Sequence, residues 1–256
     1  MPRRVCGFCG GADVSKEHVF PKWIGRLLDT NDRYRVAFVR PQRAKDWVQL
    51  DIGIQVHMPC KRCNSGWMSD LERRVQPILT PMMTSGGRMP LDIDDQTLVA
   101  GWISKTVMVL EYAGEDEPFY TADERRLMME AQIPPDRTWI WAGRYLGRVR
   151  GHWSVLGLGF QVSDGRTIPG KCTTFSLGQV AVQMFSYRSR KGPAVQLNEV
   201  PMATGPWDTS LHSLWPVLTN GLEWPPTHHF NDEGLARLEA RLTQRPPLLW
   251  RVRRGK

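Results

Sequence analysis

Four cysteines stand in two pairs, Cys6-Gly7-Phe8-Cys9 and Cys60-Lys61-Arg62-Cys63. Two thiolate pairs at C-x2-C spacing make a tetrahedral, structural zinc site. Between the pairs lies Glu17-His18, and Asn64 directly follows the last cysteine. A histidine titrates near neutral pH and can act as a general base. A neighbouring carboxylate can hold a hard cation such as Mg²⁺, which takes oxygen ligands and keeps several waters. An asparagine carbonyl would complete a sparse ligand set, and Asn64 is held in place by the zinc ligand beside it. Successive side chains on an ideal strand point to opposite faces. Glu17 and His18 therefore share one site only where the backbone bends, and Pro21, three residues on, fits such a bend. Each residue has a plainer alternative. His18 reads also as a histidine of a non-catalytic zinc fold, Glu17 as a partner of Lys16 or Lys22, and Asn64 as a helix N-cap.

Several elements must position these groups. Residues 1–15 read as a zinc knuckle, with Gly7, Gly10 and Gly11 supplying turns. Residues 33–39 and 47–56 read as strands, with Arg40-Pro41-Gln42 in the loop between. Trp67, Leu71 and Val75 recur at i, i+4, which predicts a helix from Asn64 that ends before Pro77 or Pro81. Glu72 is expected on its solvated face, and His57 as a packed strand residue. The Met-, Gly-, Ser- and Pro-rich stretch Thr80 to Pro90 is the expected boundary between a zinc domain, 1–90, and a second domain, 91–256. There, Asp94 or Asp95 caps a helix over 96–112, and Thr121 caps a shorter one through Met129. The period then changes to two. Strands are expected at 139–141 and 156–162, with a hairpin around Gly178, before a final helix capped by Asn231. The expected class is α+β, with the zinc domain followed by a mixed domain containing an antiparallel sheet. Cys172 stands alone and reads as a small apolar strand residue.

A hydrophobic content of 41% with 11 tryptophans excludes a disordered chain. No segment reaches the length of a membrane span, and Met-Pro-Arg-Arg leads into no apolar stretch of a signal peptide. The expected compartment is the reducing cytoplasm, where paired cysteines are metal ligands rather than disulfides. The net charge of +8 is uneven: residues 1–90 hold 15 Lys and Arg against 8 Asp and Glu, and residues 91–256 hold 19 against 18. A basic face beside a metal site points to a polyanion, most simply nucleic acid, against the alternative of a merely soluble basic surface.

Cys6-x2-Cys9, Glu17-His18-x2-Pro21 and Cys60-x2-Cys63-Asn64 together resemble the HNH endonucleases, the ββα-metal nucleases, in their zinc-stapled, treble-clef-like form. The resemblance covers roughly residues 3–76. It implies a metal-dependent hydrolase of phosphodiester bonds, DNA before RNA. His18 would activate a water, Glu17 would stand at the metal-ligand acid, and Asn64 at the final metal-binding position. The cation would be Mg²⁺ or Mn²⁺, with the four cysteines holding zinc away from the chemistry. Gln55 stands where the family has its middle asparagine. The interval from His18 to Gln55 is longer than the family norm, so the hairpin is expected to be extended or to carry an insertion. Lys61, Arg62, Arg73 and Arg74 are the expected phosphate contacts. Two alternatives remain at this level: a non-catalytic zinc-stapled nucleic-acid binder, and a defence or toxin nuclease controlled by the C-terminal domain. That domain could also position DNA, form a homodimer or sense a ligand.

Overall fold

The computed structural model describes residues 5–28, 34–40, 43–49, 53–114, 117–148, 151–161, 167–188 and 209–240. The fold is mixed α+β with antiparallel sheets. Strand β1 (Val14–His18) pairs antiparallel with β4 (Gln55–Cys60). Between them, α1 (Lys22–Leu27) is followed by β2 (Tyr34–Arg40) and β3 (Arg43–Gln49), which form a hairpin of their own. That hairpin lies in the chain between the two paired strands β1 and β4. It leaves the β1–β4 pair and joins a larger sheet, with β2 parallel to a later strand, β7 (Gly151–Gln161). Arg40, expected in the loop, is the last residue of β2.

After β4 come a one-turn helix α2 (Lys61–Cys63), a widened turn over Asn64–Met68 kinked at Gly66, and α3 (Ser69–Thr84). Proline removes an amide donor and disfavours a helix interior, yet α3 continues through both Pro77 and Pro81. Its apolar face explains why. Leu71, Val75, Ile78, Leu79, Met82 and Met83 are all buried, while Pro77 lies on the exposed side. Packing along the whole length of the face outweighs the lost backbone bonds.

The remaining elements are β5 (Met89–Asp92), α4 (Ile93–Leu110), α5 (Ala122–Ala131), β6 (Thr138–Tyr145), β7 (Gly151–Gln161), β8 (Thr167–Leu177), β9 (Val180–Tyr187), β10 (His212–Trp215), β11 (Gly221–Trp224), β12 (His229–Phe230) and α6 (Asp232–Ala240). Asp92 caps α4 by accepting the Asp95 amide at 2.8 Å, so the helix begins earlier than Asp94 or Asp95 would set it. Thr121 and Glu124 form a reciprocal capping box at the start of α5. Asn231 accepts the Gly234 amide at 2.8 Å before α6.

The large sheet runs β10-β6-β9-β8-β7-β2-β3, with β12 beside β6. Gly178, at φ +56°, makes the tight β8–β9 turn, where a Cβ would lie 2.3 Å from the Met83 carbonyl oxygen. Strand β9 is buried throughout and shows how the layers form. Val180, Val182 and Met184 face one core with α3 and α4, while Ala181 and Phe185 face a second core with Leu235 and Leu238 of α6. The first core is continuous from Cys6 through Trp102 to Trp224.

Candidate metal centre

The turn that carries Cys6 and Cys9 is closed by short-range backbone bonds. The Cys6 amide donates to Gly11 O at 2.7 Å, and the Gly10 amide to Cys6 O at 2.9 Å. Gly10, at φ +72°, occupies the left-handed conformation that this turn requires. The β1–β4 pair then carries Cys60 back to the knuckle. Val14 pairs with Cys60 but Lys16 with His57, so β4 bulges by one residue, and Pro59, which has no amide to donate, lies within the bulge.

All four Sγ atoms lie within 4.8 Å of one another, and Cys9 Sγ is 3.5 Å from Cys60 Sγ. A tetrahedron with zinc–sulfur bonds of about 2.3 Å has edges of roughly 3.8 Å. The separations suit that geometry and exceed a disulfide bond of about 2.05 Å; the cysteines are free thiols. Backbone amides support the sulfurs: Cys60 N donates to Cys6 Sγ at 3.3 Å, and Cys63 N to Cys60 Sγ at 3.5 Å. Burial pushes the Cys60 and Cys63 thiols up. At Cys9 burial also acts upward, but hydrogen bonds from the Gly11 backbone and the other thiols outweigh it and bring the group down to about 7. Buried thiols that cannot all stay charged without a cation are a donor set that a metal completes. The cluster fits a structural metal ion such as zinc.

The cluster is anchored in the main core. Phe8 packs edge-on against Trp67 at 4.9 Å between ring centres. Arg125 of α5 donates through Nε to Gly7 O at 3.0 Å and lies over the Tyr112 ring. Arg125 was not legible as a site residue, because nothing local in the sequence links α5 to the knuckle.

Asn64 follows Cys63 with its side chain directed at β1. Its Nδ2 donates to Glu17 Oε2 at 2.7 Å. Ser15 Oγ donates to the other oxygen, Oε1, at 2.6 Å. Ser15 is two residues before Glu17 on a strand, so the period-two alternation was the signal that could have singled it out. His18 and Gln55 are paired directly across β1 and β4, and Gln55 Nε2 lies 3.0 Å from His18 Nε2. The structure thus forms two side-chain pairs, Glu17–Asn64 and His18–Gln55; among the described residues no hydrogen bond joins one pair to the other. Strand β1 ends at His18 and the chain bends at Val19–Phe20 before Pro21.

Of the four basic residues, Lys61 and Arg62 are exposed and carry no ion pair among the described residues. Arg73 pairs with Asp70 at 2.5 Å, and Arg74 donates to the neutral Gln132 side chain. Two expectations need correction. Glu72 does not lie on a free solvated face: the buried Lys105 of α4 donates to its Oε1 at 2.8 Å. His57 is exposed rather than packed, because Val56 and Met58 take the inward positions of β4.

No family model matches the chain, nor does any curated protein or solved structure. The observations define an α+β protein with a four-cysteine metal-ligand cluster. No helix among the described residues is long and apolar enough to cross a membrane.

Proposed function

We propose that the chain is a zinc-stapled, metal-dependent endonuclease of the HNH type, hydrolysing phosphodiester bonds in nucleic acid, DNA in the first instance. The observation that carries this reading is the Asn64 side chain against the Glu17 carboxylate at 2.7 Å. A zinc fold that only bound nucleic acid would need no amide–carboxylate pair there, nor a second polar pair on the same strand.

Glu17 and Asn64 would hold the catalytic Mg²⁺ or Mn²⁺. Their donor set suits it, because two carboxylate oxygens and one amide oxygen leave positions for water. The Asn64 amide, turned end for end, presents Oδ1 in place of Nδ2 with its shape unchanged. When bound, such a cation stabilises negative charge on the phosphoryl and leaving oxygens. Gln55, likewise turned, accepts from His18 Nε2–H. That holds Nδ1 as the unprotonated ring nitrogen, the one that takes a proton from water. The hydroxide so formed attacks phosphorus, the bond to the 3′-oxygen breaks, and the 5′-phosphate stays with the other strand end. Ser15 holds the far oxygen of Glu17 and fixes the direction of the carboxylate. Lys61 and Arg62, with no acidic partner among the described residues, meet the phosphate backbone.

Supercoiled plasmid incubated with zinc-loaded protein and Mg²⁺ or Mn²⁺, beside His18→Ala, tests the reading. Metal-dependent nicking by the wild type and its loss in the variant are expected. Equal inertness of both in either metal counts against a nuclease, and equal activity in both counts against His18.

A further inference from the structure

A groove of about 700 Å³ lies between the β5 approach, the end of β6 and the β10–β11 region. Its size is that of a small-molecule site, for which roughly 300–1,000 Å³ is usual. Its walls mix apolar side chains, among them Leu211, Leu218 and Leu222, with Arg88 and Arg144.

Arg144 is unusually placed for a surface arginine. Among the described residues its Nη2 reaches only neutral acceptors, Ser85 O at 3.4 Å and Gln179 Oε1 at 3.3 Å, and its buried Nε has no hydrogen-bond partner. Gln179 is itself held, donating through Nε2 to Thr84 O at 2.5 Å. Gly86, at φ +55°, makes room for the guanidinium: a Cβ there would come within 2.5 Å of Arg144 Nε. Arg88 is exposed and has no acidic partner among the described residues. Glu223 is also on the wall, and no ion pair joins it to either arginine. A guanidinium fixed by neutral groups keeps its full charge for a ligand, and its fork suits an oxyanion.

We infer that this groove binds a small organic oxyanion, a carboxylate or phosphate head on an apolar body, with Arg144 and Arg88 holding the head. The groove's limited volume suits a small ligand rather than a duplex, whose backbone contacts spread over a wide surface.

Isothermal titration of the full, zinc-loaded chain with AMP, inorganic phosphate, benzoate and adenosine tests this. Saturable binding of AMP or benzoate at one per chain is expected, with adenosine at least about tenfold weaker than AMP. AMP against benzoate distinguishes the phosphate from the carboxylate head. Arg144→Gln and Gly86→Ala should each weaken binding about tenfold, the second by displacing the guanidinium. Arg88→Gln, which removes no ion pair among the described residues, should weaken it without moving the melting temperature. No saturable binding of AMP, phosphate or benzoate overturns the inference, as does affinity unchanged in both Arg88→Gln and Arg144→Gln. A DNA duplex that displaces AMP and itself loses affinity in Arg144→Gln also overturns it, because the groove would then belong to a nucleic-acid face.

Discussion

Asn64 donates to the carboxylate of Glu17, 47 residues earlier in the chain, at 2.7 Å. Neither residue reaches the other through local structure. Asn64 follows Cys63 and Glu17 lies on the strand that pairs with the one ending at Cys60. The β1–β4 pairing, together with the cysteine cluster at the end of β4, therefore sets their separation.

Loss of the cluster should undo the N-terminal half. Cys60→Ser is expected to lose its zinc by metal analysis, and with it the cooperative melt and the fluorescence of Trp67 packed on Phe8. Structural zinc in finger peptides is worth about 10–16 kcal/mol of binding, which for such sites is folding free energy. Thiols must shed protons to bind the metal, so zinc addition to metal-free protein should release protons, with affinity rising with pH. A variant that keeps its zinc and its melt contradicts the four-ligand site.

The pairing of Gln55 with His18 makes a kinetic expectation. Gln55→Leu keeps the bulk but leaves Nε2 without its partner. Plasmid nicking should fall roughly 10- to 100-fold, the scale at which general acid–base catalysis contributes, while zinc content stays whole. Gln55→Asn, one methylene shorter, should retain part of the rate. A Gln55→Leu variant with wild-type rate and pH profile shows that the contact orients nothing.

Lys105 is almost fully buried and, among the described residues, its ammonium is matched by Glu72 alone of the carboxylates, with the Trp102 ring 5.6 Å away. Breaking a buried pair on one side costs about 3–5 kcal/mol, whereas an apolar replacement of both partners is often neutral. Glu72→Met is thus expected to destabilise strongly in denaturant titration, and Glu72→Met with Lys105→Met to recover much of the loss. Additive destabilisation in the double variant contradicts this.

Gly101 allows α4 to pass close to the end of α5. A Cβ there would lie 2.2 Å from the backbone oxygen of Gln132. An exposed helical glycine changed to alanine gains stability by roughly 0.5–1 kcal/mol. Gly101→Ala should instead lose about 1–3 kcal/mol, because the helices must part. A raised melting temperature would show that the crossing has slack.

What could be read from the sequence was local. The double C-x2-C, the Thr121 capping box, the Asn231 cap and the β8–β9 turn at Gly178 each depend on neighbours in the chain. The rest depended on distant partners. The run of α3 through Pro77 and Pro81 is decided by the core beneath it. The strand expected at 33–39 corresponds to β2, but the one expected at 47–56 takes in only the end of β3 and the start of β4, and nothing in either tells of the parallel pairing of β2 with β7. At the site, the residue types were legible. Which of them meet was not, since Ser15, Arg125 and Lys105 act across 2 to 118 positions of sequence. The groove at Arg144 depends on the same kind of long-range assembly and left no motif.

The account rests on Glu17 and Asn64 sharing a second, oxygen-bound cation. Titration of Mn²⁺ into zinc-loaded protein, followed by electron paramagnetic resonance, measures this directly. One bound Mn²⁺ per chain is expected in the wild type, weakened at least about tenfold in Glu17→Gln and in Asn64→Ala, with zinc content unchanged in all three. Wild-type protein that binds no Mn²⁺, or variants that bind it as the wild type does, would contradict the account.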